Sequence, residues 1–397
     1  MTAARTTTAP ATLVIDGQAL ADARARAGEP DVAPAIAELR RDADLAAETP
    51  LETVTSKTSS PSGDPHDYVS LSIYYWPDPT RPDGLPYVSR DGDINPEIRD
   101  TTRFDALKLF RLVTAVETLA LAAYLTGEGR CADAAARRLR TWYLDAATQV
   151  NPTMRYAQII PGRTAPRGTG IMDSRQMMRA VDAALILAST GTASWTAADE
   201  RALRAWFGAL VDWLRASENG RLEANARNNH ACWYDAQLSV FALFAGREDL
   251  ARETLAGVAA RRVAVQLADD GTQPQELART RSYHYSVFNV LALTLLGDLG
   301  RHLGLEVWTA CGPRLRRAID LLVPHARDTS AWAYPEHPGV AHTPLEPALV
   351  RAGRAYADAD YGGAIERFAA TLTPLGRLRL RLGAFGDLGG VASAPPR

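Results

Sequence analysis

From Thr101 onward, apolar residues return every three or four positions, and this constrains the fold more than any other feature of the sequence. Leu109, Leu112, Val113, Val116, Leu119, Ala120 and Ala123 fall at i, i+3, i+4, i+7, i+10, i+11 and i+14, the spacing of one helix face. Ala132, Ala135, Ala136, Leu139, Trp142 and Tyr143 repeat the pattern, and comparable stretches cover 173–190, 196–217, 230–246, 248–268, 285–303 and 312–325. An earlier segment, 31–48, also reads as a helix, stopped by Pro50. Abundant Ala, Leu and Arg, all strong helix formers, agree with this. Period-two alternation is confined to Tyr68–Tyr75. Helices of this length joined by loops pack either as an open superhelix or as a ring. No repeat of 33–47 residues recurs, which disfavours the open superhelix. The expected fold is all-α: an (α/α) toroid, an incomplete barrel of antiparallel helix pairs.

The 397 residues divide into a flexible lead-in over 1–30 and a single domain over 31–397. Leu51 to Arg99 differs in kind from the rest. It holds Pro61, Pro65, Pro77, Pro79, Pro82, Pro86 and Pro96, which forbid a helix. It also holds Tyr68, Tyr74, Tyr75, Trp76 and Tyr87, too aromatic a set for a solvated linker. Long ordered loops of this type usually carry function.

Charge excludes several partners. With 44 basic and 46 acidic residues the net charge is −2, so no overall field attracts nucleic acid or an anionic membrane. Only Lys57 and Lys108 are lysines; every other basic residue is an arginine, whose fork suits carboxylates. Cys131, Cys232 and Cys311 are too sparse for a disulfide framework or a structural zinc site. No uninterrupted apolar run approaches the roughly 18 residues of a membrane span. Met1–Ala11 lacks the apolar core of a secretory signal, which on sequence alone places the chain in the cytoplasm.

Metal and cofactor chemistry find no support. None of the seven histidines sits in HExxH or beside a cysteine, and His337 and His342 share only a Pro-rich loop. There is no phosphate-binding Gly-rich loop and no GxSxG elbow. Two other stretches stand out. Asn225 to Tyr234 places Asn228, Asn229 and His230 together at a helix start. Either asparagine can be a cap, but two amides and an imidazole also make a compact set of donors for an anion. Gln273 to Asn289 gathers Arg279, Arg281, Tyr283, His284 and Tyr285 at a second loop-to-helix junction. It offers a guanidinium for a carboxylate and a phenol for proton transfer. As structure alone, it is a polar turn with two interface tyrosines.

Here a resemblance becomes specific. Tyr74-Tyr-Trp-Pro-Asp-Pro79, Asp83-Gly-Leu-Pro86, Arg90-Asp-Gly92, Asn95-Pro-Glu97, Asn228-Asn-His230 and Glu276-Leu-Ala-Arg279 occur in this order. Over about residues 50–305 the chain resembles the alginate-lyase family of polysaccharide lyases, some of which act on glucuronan. The resemblance implies a toroidal catalytic domain, a secreted or periplasmic setting, and β-elimination on an anionic uronate polysaccharide without metal or cofactor. It implies that Asn229, His230 and Arg279 act on the uronate carboxylate. It implies Tyr285, which opens a Tyr-x-x-aromatic run with Phe288, as the catalytic tyrosine. Tyr283, four residues beyond Arg279, is a rival for that role.

β-Elimination needs these residue types. The C5 proton of a uronate is scarcely acidic while the neighbouring carboxylate keeps its full charge, so donors and cations must offset that charge. A tyrosine, of ordinary pKa about 10, can then take the C5 proton and protonate the leaving oxygen if nearby positive charge lowers its pKa. His230 is the alternative base when proton and leaving group lie on opposite faces. Tyr75 and Trp76 are candidates to stack on sugar rings, or else anchor the long loop. Asp173, Arg175, Gln176 and Asn228 are further groove candidates. A second reading is an inverting glycoside hydrolase using two carboxylates among Asp173, Asp235 and Glu276, which must stand about 6.5–9.5 Å apart. A third is a non-catalytic carbohydrate-binding helical protein.

Overall fold

The apolar stripes pair off in the computed structural model, which describes residues 9–337 and 342–384. The helix Ala106–Thr126 turns back at Gly127, left-handed at φ 75°, to pack on Gly129–Tyr143. A glycine there closes the helix end without the strain a Cβ would bring. Packing then runs from Ala106–Thr126 to Met177–Thr190, Asn229–Phe244, Ser282–His302 and Glu346–Ala355. From there it passes through Pro374–Arg381 to Ala33–Glu48, which packs again on Ala106–Thr126. The ring therefore returns to its start. Hydrogen bonds from Leu375 N–H to Glu38 (2.9 Å) and from Arg379 to Thr118 (2.9 Å) tie the closing helix down. This is the α/α toroid that the periodicity implied, with one continuous apolar core between its layers.

Ala106–Thr126 is long and apolar enough to cross a membrane by length and composition. Most of it is buried against the neighbouring helices, including Lys108 and Glu117, so here it is a core helix.

Three local expectations change. Residues 9–30 are not a loose lead-in: Gly17–Ala25 is a helix with Leu20 fully buried, and the N–H groups of Leu13, Val14 and Ile15 dock on Asp182. Apolar Leu13, Val14, Ile15 and Leu20 supply the burial that holds this segment. The single helix expected over 248–268 stops at Ala256, and a wide π-turn follows at Ala259–Val263. The turn accompanies a buried ion pair in which Arg262 meets Asp235 at 2.8 and 3.0 Å. Ahead of Met177–Thr190, the chain from Gly168 to Gln176 winds as a tighter 3-10 helix.

The Pro-rich loop Leu51–Arg99 has its own small core, in which Val69, Leu71, Tyr87 and Ile98 pack with Phe104 and Ile160 from the chain beyond it. Val69–Leu71 pairs in parallel with Tyr156–Ile159, and Tyr75–Trp76 pairs antiparallel with Val88–Ser89. Both lysines of the chain anchor it. Lys57 and Lys108 lie 3.2 and 3.1 Å from the buried Asp105, whose second oxygen also accepts from Val69 N–H. The two ammonium groups share one carboxylate, and the excess positive charge is met by the carbonyls of Val54 and Pro65 on Lys57 and by the Ser56 hydroxyl on Lys108. That lattice holds the loop against one mouth of the ring.

Candidate active site

At that mouth lies a cavity of about 610 Å³, within the usual range for small-ligand sites. Its walls come from the Pro-rich loop, the Gly168–Gln176 turn, the start of Asn229–Phe244, and the start of Ser282–His302. The two sequence stretches of interest, about 50 residues apart, meet here.

The meeting is made by Glu276. Its buried carboxylate accepts the backbone N–H of Asn229 at 2.6 Å and the side-chain amide at 2.8 Å. It thus caps a helix from outside, placing negative charge at the positive helix end. Asn228 occupies the cap position but makes no side-chain cap bond; its carbonyl accepts from Gln266 at 3.0 Å. Glu276 takes one of the two N–H groups of the Asn229 amide, which fixes the side chain and leaves one N–H for a ligand. Its Oδ1 is a buried acceptor without a partner.

His230 comes next and lines the cavity, with Nδ1 2.6 Å from the carboxylate of the almost fully buried Glu223. Burial alone pulls the imidazole pKa down, but the charge and hydrogen bond of Glu223, aided by Glu276, outweigh it and leave the pKa raised.

Arg279 stands over the ring of Tyr285, its guanidinium carbon 3.9 Å from the ring centroid. One of its nitrogens donates to Asp91 of the Pro-rich loop at 2.8 Å. The Tyr285 hydroxyl lies 2.8 Å from that of Tyr74, from the same loop. Burial pushes the Tyr285 phenol well above its ordinary pKa, helped by Tyr74 and Asp91, while Arg279 pulls the other way. Without substrate, then, Tyr285 is a neutral phenol rather than the lowered one foreseen.

Several expected groups divide. Tyr75, Arg175, Gln176 and Asn228 line the cavity. Arg175 is largely tucked away, donating to Met172 carbonyl at 2.8 Å and resting on Phe288. Trp76 does not line the cavity: its indole N–H donates to Asp93 carbonyl at 3.0 Å and Arg90 covers its ring. Tyr283 is also absent from the wall. Its ring is in the core against Trp332, with the hydroxyl on Leu322 carbonyl at 3.3 Å. One position separates Tyr283 from His284 and another from Tyr285, so their side chains leave the helix in different directions.

Sequence reading missed Glu223 and Asp91, which hold His230 and Arg279. It also passed over Arg167 and His284 as site residues, although both line the cavity. The one available signal was weak: the Arg90-Asp-Gly92 motif marks Asp91's place. Around Gln158 the backbone enters the left-handed region at φ 49°, and a Cβ on Gly170 would fall 2.2 Å from Ala157 carbonyl oxygen. That crowding presses the strand Tyr156–Ile159 onto the Gly168–Gln176 turn, where Asp173 accepts from Gln158, Ser70 and Tyr68.

These engagements answer the hydrolase reading. Asp173 is held by three donors, Asp235 by Arg262, and Glu276 by Asn229. Asp235 and Glu276 are not on the cavity wall. Among the described residues, no group of three His, Cys, Asp or Glu side chains could hold a metal ion.

Comparison with known proteins bears on the family and the fold. The family model for alginate lyase matches residues 53–332. The solved structure of an alginate lyase from Bacteroides ovatus is 33% identical, covers 95% of this chain and 100% of its own, and superposes with a TM-score of 0.89. Alginate lyase A1-III from Sphingomonas species A1 is 14% identical, with 87% and 94% coverage and a TM-score of 0.53, a likeness of fold. A tyrosine-to-phenylalanine variant of alginate lyase A1-III, complexed with a tetrasaccharide, gives 14% identity, 98% and 97% coverage and a TM-score of 0.56. No curated protein matches the sequence. The chain belongs to the alginate lyase family and is a polysaccharide lyase.

Proposed function

We propose that the chain cleaves 1,4-linked uronic-acid polymers by β-elimination, with alginate or glucuronan as the substrate. The observation that carries this is the stacking of Arg279 on Tyr285 at 3.9 Å, across the same cavity from His230 and Asn229. A cation that can meet a carboxylate thus sits beside a phenol that can move a proton.

In this reading the uronate carboxylate takes the place of Asp91 on Arg279 and meets His230, whose raised pKa favours the charged donor. Offsetting the carboxylate charge acidifies C5–H and stabilises the enolate-like charge that develops. Tyr285, deprotonated as Arg279 and the changing hydrogen bond to Tyr74 lower its pKa, takes the C5 proton. The C4–O bond breaks, a C4=C5 double bond forms, and the phenol returns its proton to the leaving oxygen. Where C5–H and the leaving oxygen lie on opposite faces, the carboxylate rests on Arg279, the neutral form of His230, with Nδ1–H on Glu223 and a lone pair on Nε2, is the base, and Tyr285 is the acid. Tyr75 and Gln176 border the neighbouring sugars.

The names of the similar structures favour alginate as first substrate. The test is a panel of mannuronate blocks, guluronate blocks and glucuronan. An unsaturated, ultraviolet-absorbing sugar end is the expected product. Saturated ends would mean hydrolysis, and no new ends would mean binding without catalysis.

A further inference from the structure

His284 precedes Tyr285 and is only 6% exposed, yet its ring lines the cavity. Its Nδ1 accepts the backbone N–H of Thr343 at 3.3 Å, and Thr343 Oγ1 stands 3.0 Å from the same nitrogen. A backbone N–H only donates, so Nδ1 carries the lone pair and Nε2 carries the proton. Burial, then the positive field of Arg281, His342, Arg175 and Arg279, keeps the imidazole neutral by holding its pKa well below the ordinary value.

The ring is also fixed in direction. It lies parallel to Phe288 at 6.0 Å between centroids, with 9° between planes, and edge-on to Tyr285 at 5.1 Å. With Nδ1 held on Thr343, the Nε2–H is the ring's remaining polar group, and no described residue accepts from it. Since His284 lines the cavity, that N–H is open to a molecule bound there.

We infer that His284 Nε2–H donates to a hydroxyl oxygen of the uronate held against Tyr285, and that this bond helps select among uronate epimers. The inference rests on the elimination reading for where the sugar lies. A hydroxyl is the fitting acceptor because the carboxylate already has charged partners in Arg279 and His230. A neutral N–H adds direction, not charge. Mannuronate and glucuronate are epimers at C2, a carbon that bears a hydroxyl, and guluronate is the C5 epimer of mannuronate, whose inverted chair turns axial hydroxyls equatorial and the reverse. A donor fixed in space therefore meets a hydroxyl well in one uronate and poorly in another. A site built to bond a hydroxyl discriminates strongly when that hydroxyl is misplaced.

Binding is measured in the Tyr285→Phe background, so that turnover does not intervene, by calorimetric titration of mannuronate, guluronate and glucuronate tetrasaccharides. His284→Asn keeps an acceptor near Thr343 but removes the donor; His284→Gln carries an amide N–H to the Nε2 position. The expected result is an affinity loss on the order of tenfold for the best-bound tetrasaccharide with His284→Asn, smaller losses for the others, and recovery with His284→Gln. Equal losses for all three sugars, or no loss, would overturn the inference. If His284→Asn does not fold, His284→Gln decides: a preserved ranking supports the bond and a lost ranking refutes it. Binding that behaves as expected, with no ultraviolet-absorbing product from the unmutated enzyme, would refute the elimination reading alone. Failure of any tetrasaccharide to bind would refute both.

Discussion

The hydroxyls of Tyr285 and Tyr74 lie 2.8 Å apart, linking the start of the Ser282–His302 helix to the Pro-rich loop at the mouth of the ring. The loop therefore reaches the group that moves the proton. With Arg279 over the Tyr285 ring, that hydroxyl has one neutral partner and one cationic neighbour.

Tyr285→Phe keeps the ring under Arg279 and removes only the hydroxyl. General acid–base catalysis contributes about 10²–10⁴-fold, so turnover is expected to fall by that factor while KM changes little. Tyr283→Phe should leave turnover within about twofold and cost about 1 kcal/mol of stability, the worth of its bond to Leu322. Steady-state rates and urea unfolding of the two variants separate the roles. A dead Tyr283→Phe beside an active Tyr285→Phe would move the chemistry two residues along the chain.

Because burial holds the Tyr285 phenol well above its ordinary pKa, its ionised fraction grows with pH across the neutral and alkaline range. The pH profile of kcat/KM, which reports the free enzyme, should rise on the alkaline side. Asp91 contributes to the raised value through its negative charge and also occupies Arg279. Asp91→Asn removes that charge, so the Tyr285 pKa falls and the rising limb moves to lower pH. A limb that stays in place would belong to another group.

Glu223→Gln addresses the opposite wall. The Glu223 charge is what overcomes the burial of His230, so its loss lowers the His230 pKa and leaves a neutral ring at pH 7. A hydrogen bond from an ionised donor exceeds a neutral one by about 1–1.5 kcal/mol, so kcat/KM at pH 7 is expected to fall about tenfold. The deficit should narrow as pH falls and the ring is reprotonated. Nuclear magnetic resonance titration of His230 gives the pKa directly; an unshifted value would disconnect Glu223 from the effect.

The sequence made the ring legible because each apolar stripe is a local pattern, readable within one helix. It made Asn229, His230, Arg279 and Tyr285 legible through motifs a few residues long. What escaped was non-local. Glu223 and Asp91 are ordinary acidic residues until folding sets them against His230 and Arg279. Nothing local shows that Glu276, 47 positions away, takes one N–H of the Asn229 amide and so sets its direction. Trp76 and Tyr75 are neighbours in sequence, but successive strand residues face opposite ways, so only Tyr75 borders the cavity. The docking of residues 13–15 was equally hidden, since its acceptor Asp182 lies on a helix far along the chain.

That docking sets the last prediction. Asp182 is buried and accepts the N–H groups of Leu13, Val14 and Ile15 at 2.7 to 3.3 Å. Burial still dominates these bonds, and the nearby Glu117 adds to it, so the carboxyl pKa is pushed up to about 6. In the unfolded chain it returns to about 3.9. A folded pKa above the unfolded one means that the folded state prefers the protonated form. Its contribution to stability is complete below about pH 4 and is lost as pH rises through about 6, a change on the order of 3 kcal/mol. Asp182→Asn cannot titrate. The variant is less stable in absolute terms, because its NH₂ faces backbone donors, but it lacks this slope. Urea unfolding at pH 4, 5, 6 and 7 should therefore show the stability advantage of the unmutated chain over Asp182→Asn shrinking steadily as pH rises. Parallel curves for the two proteins would mean that Asp182 ionises in the folded chain as readily as in the unfolded one.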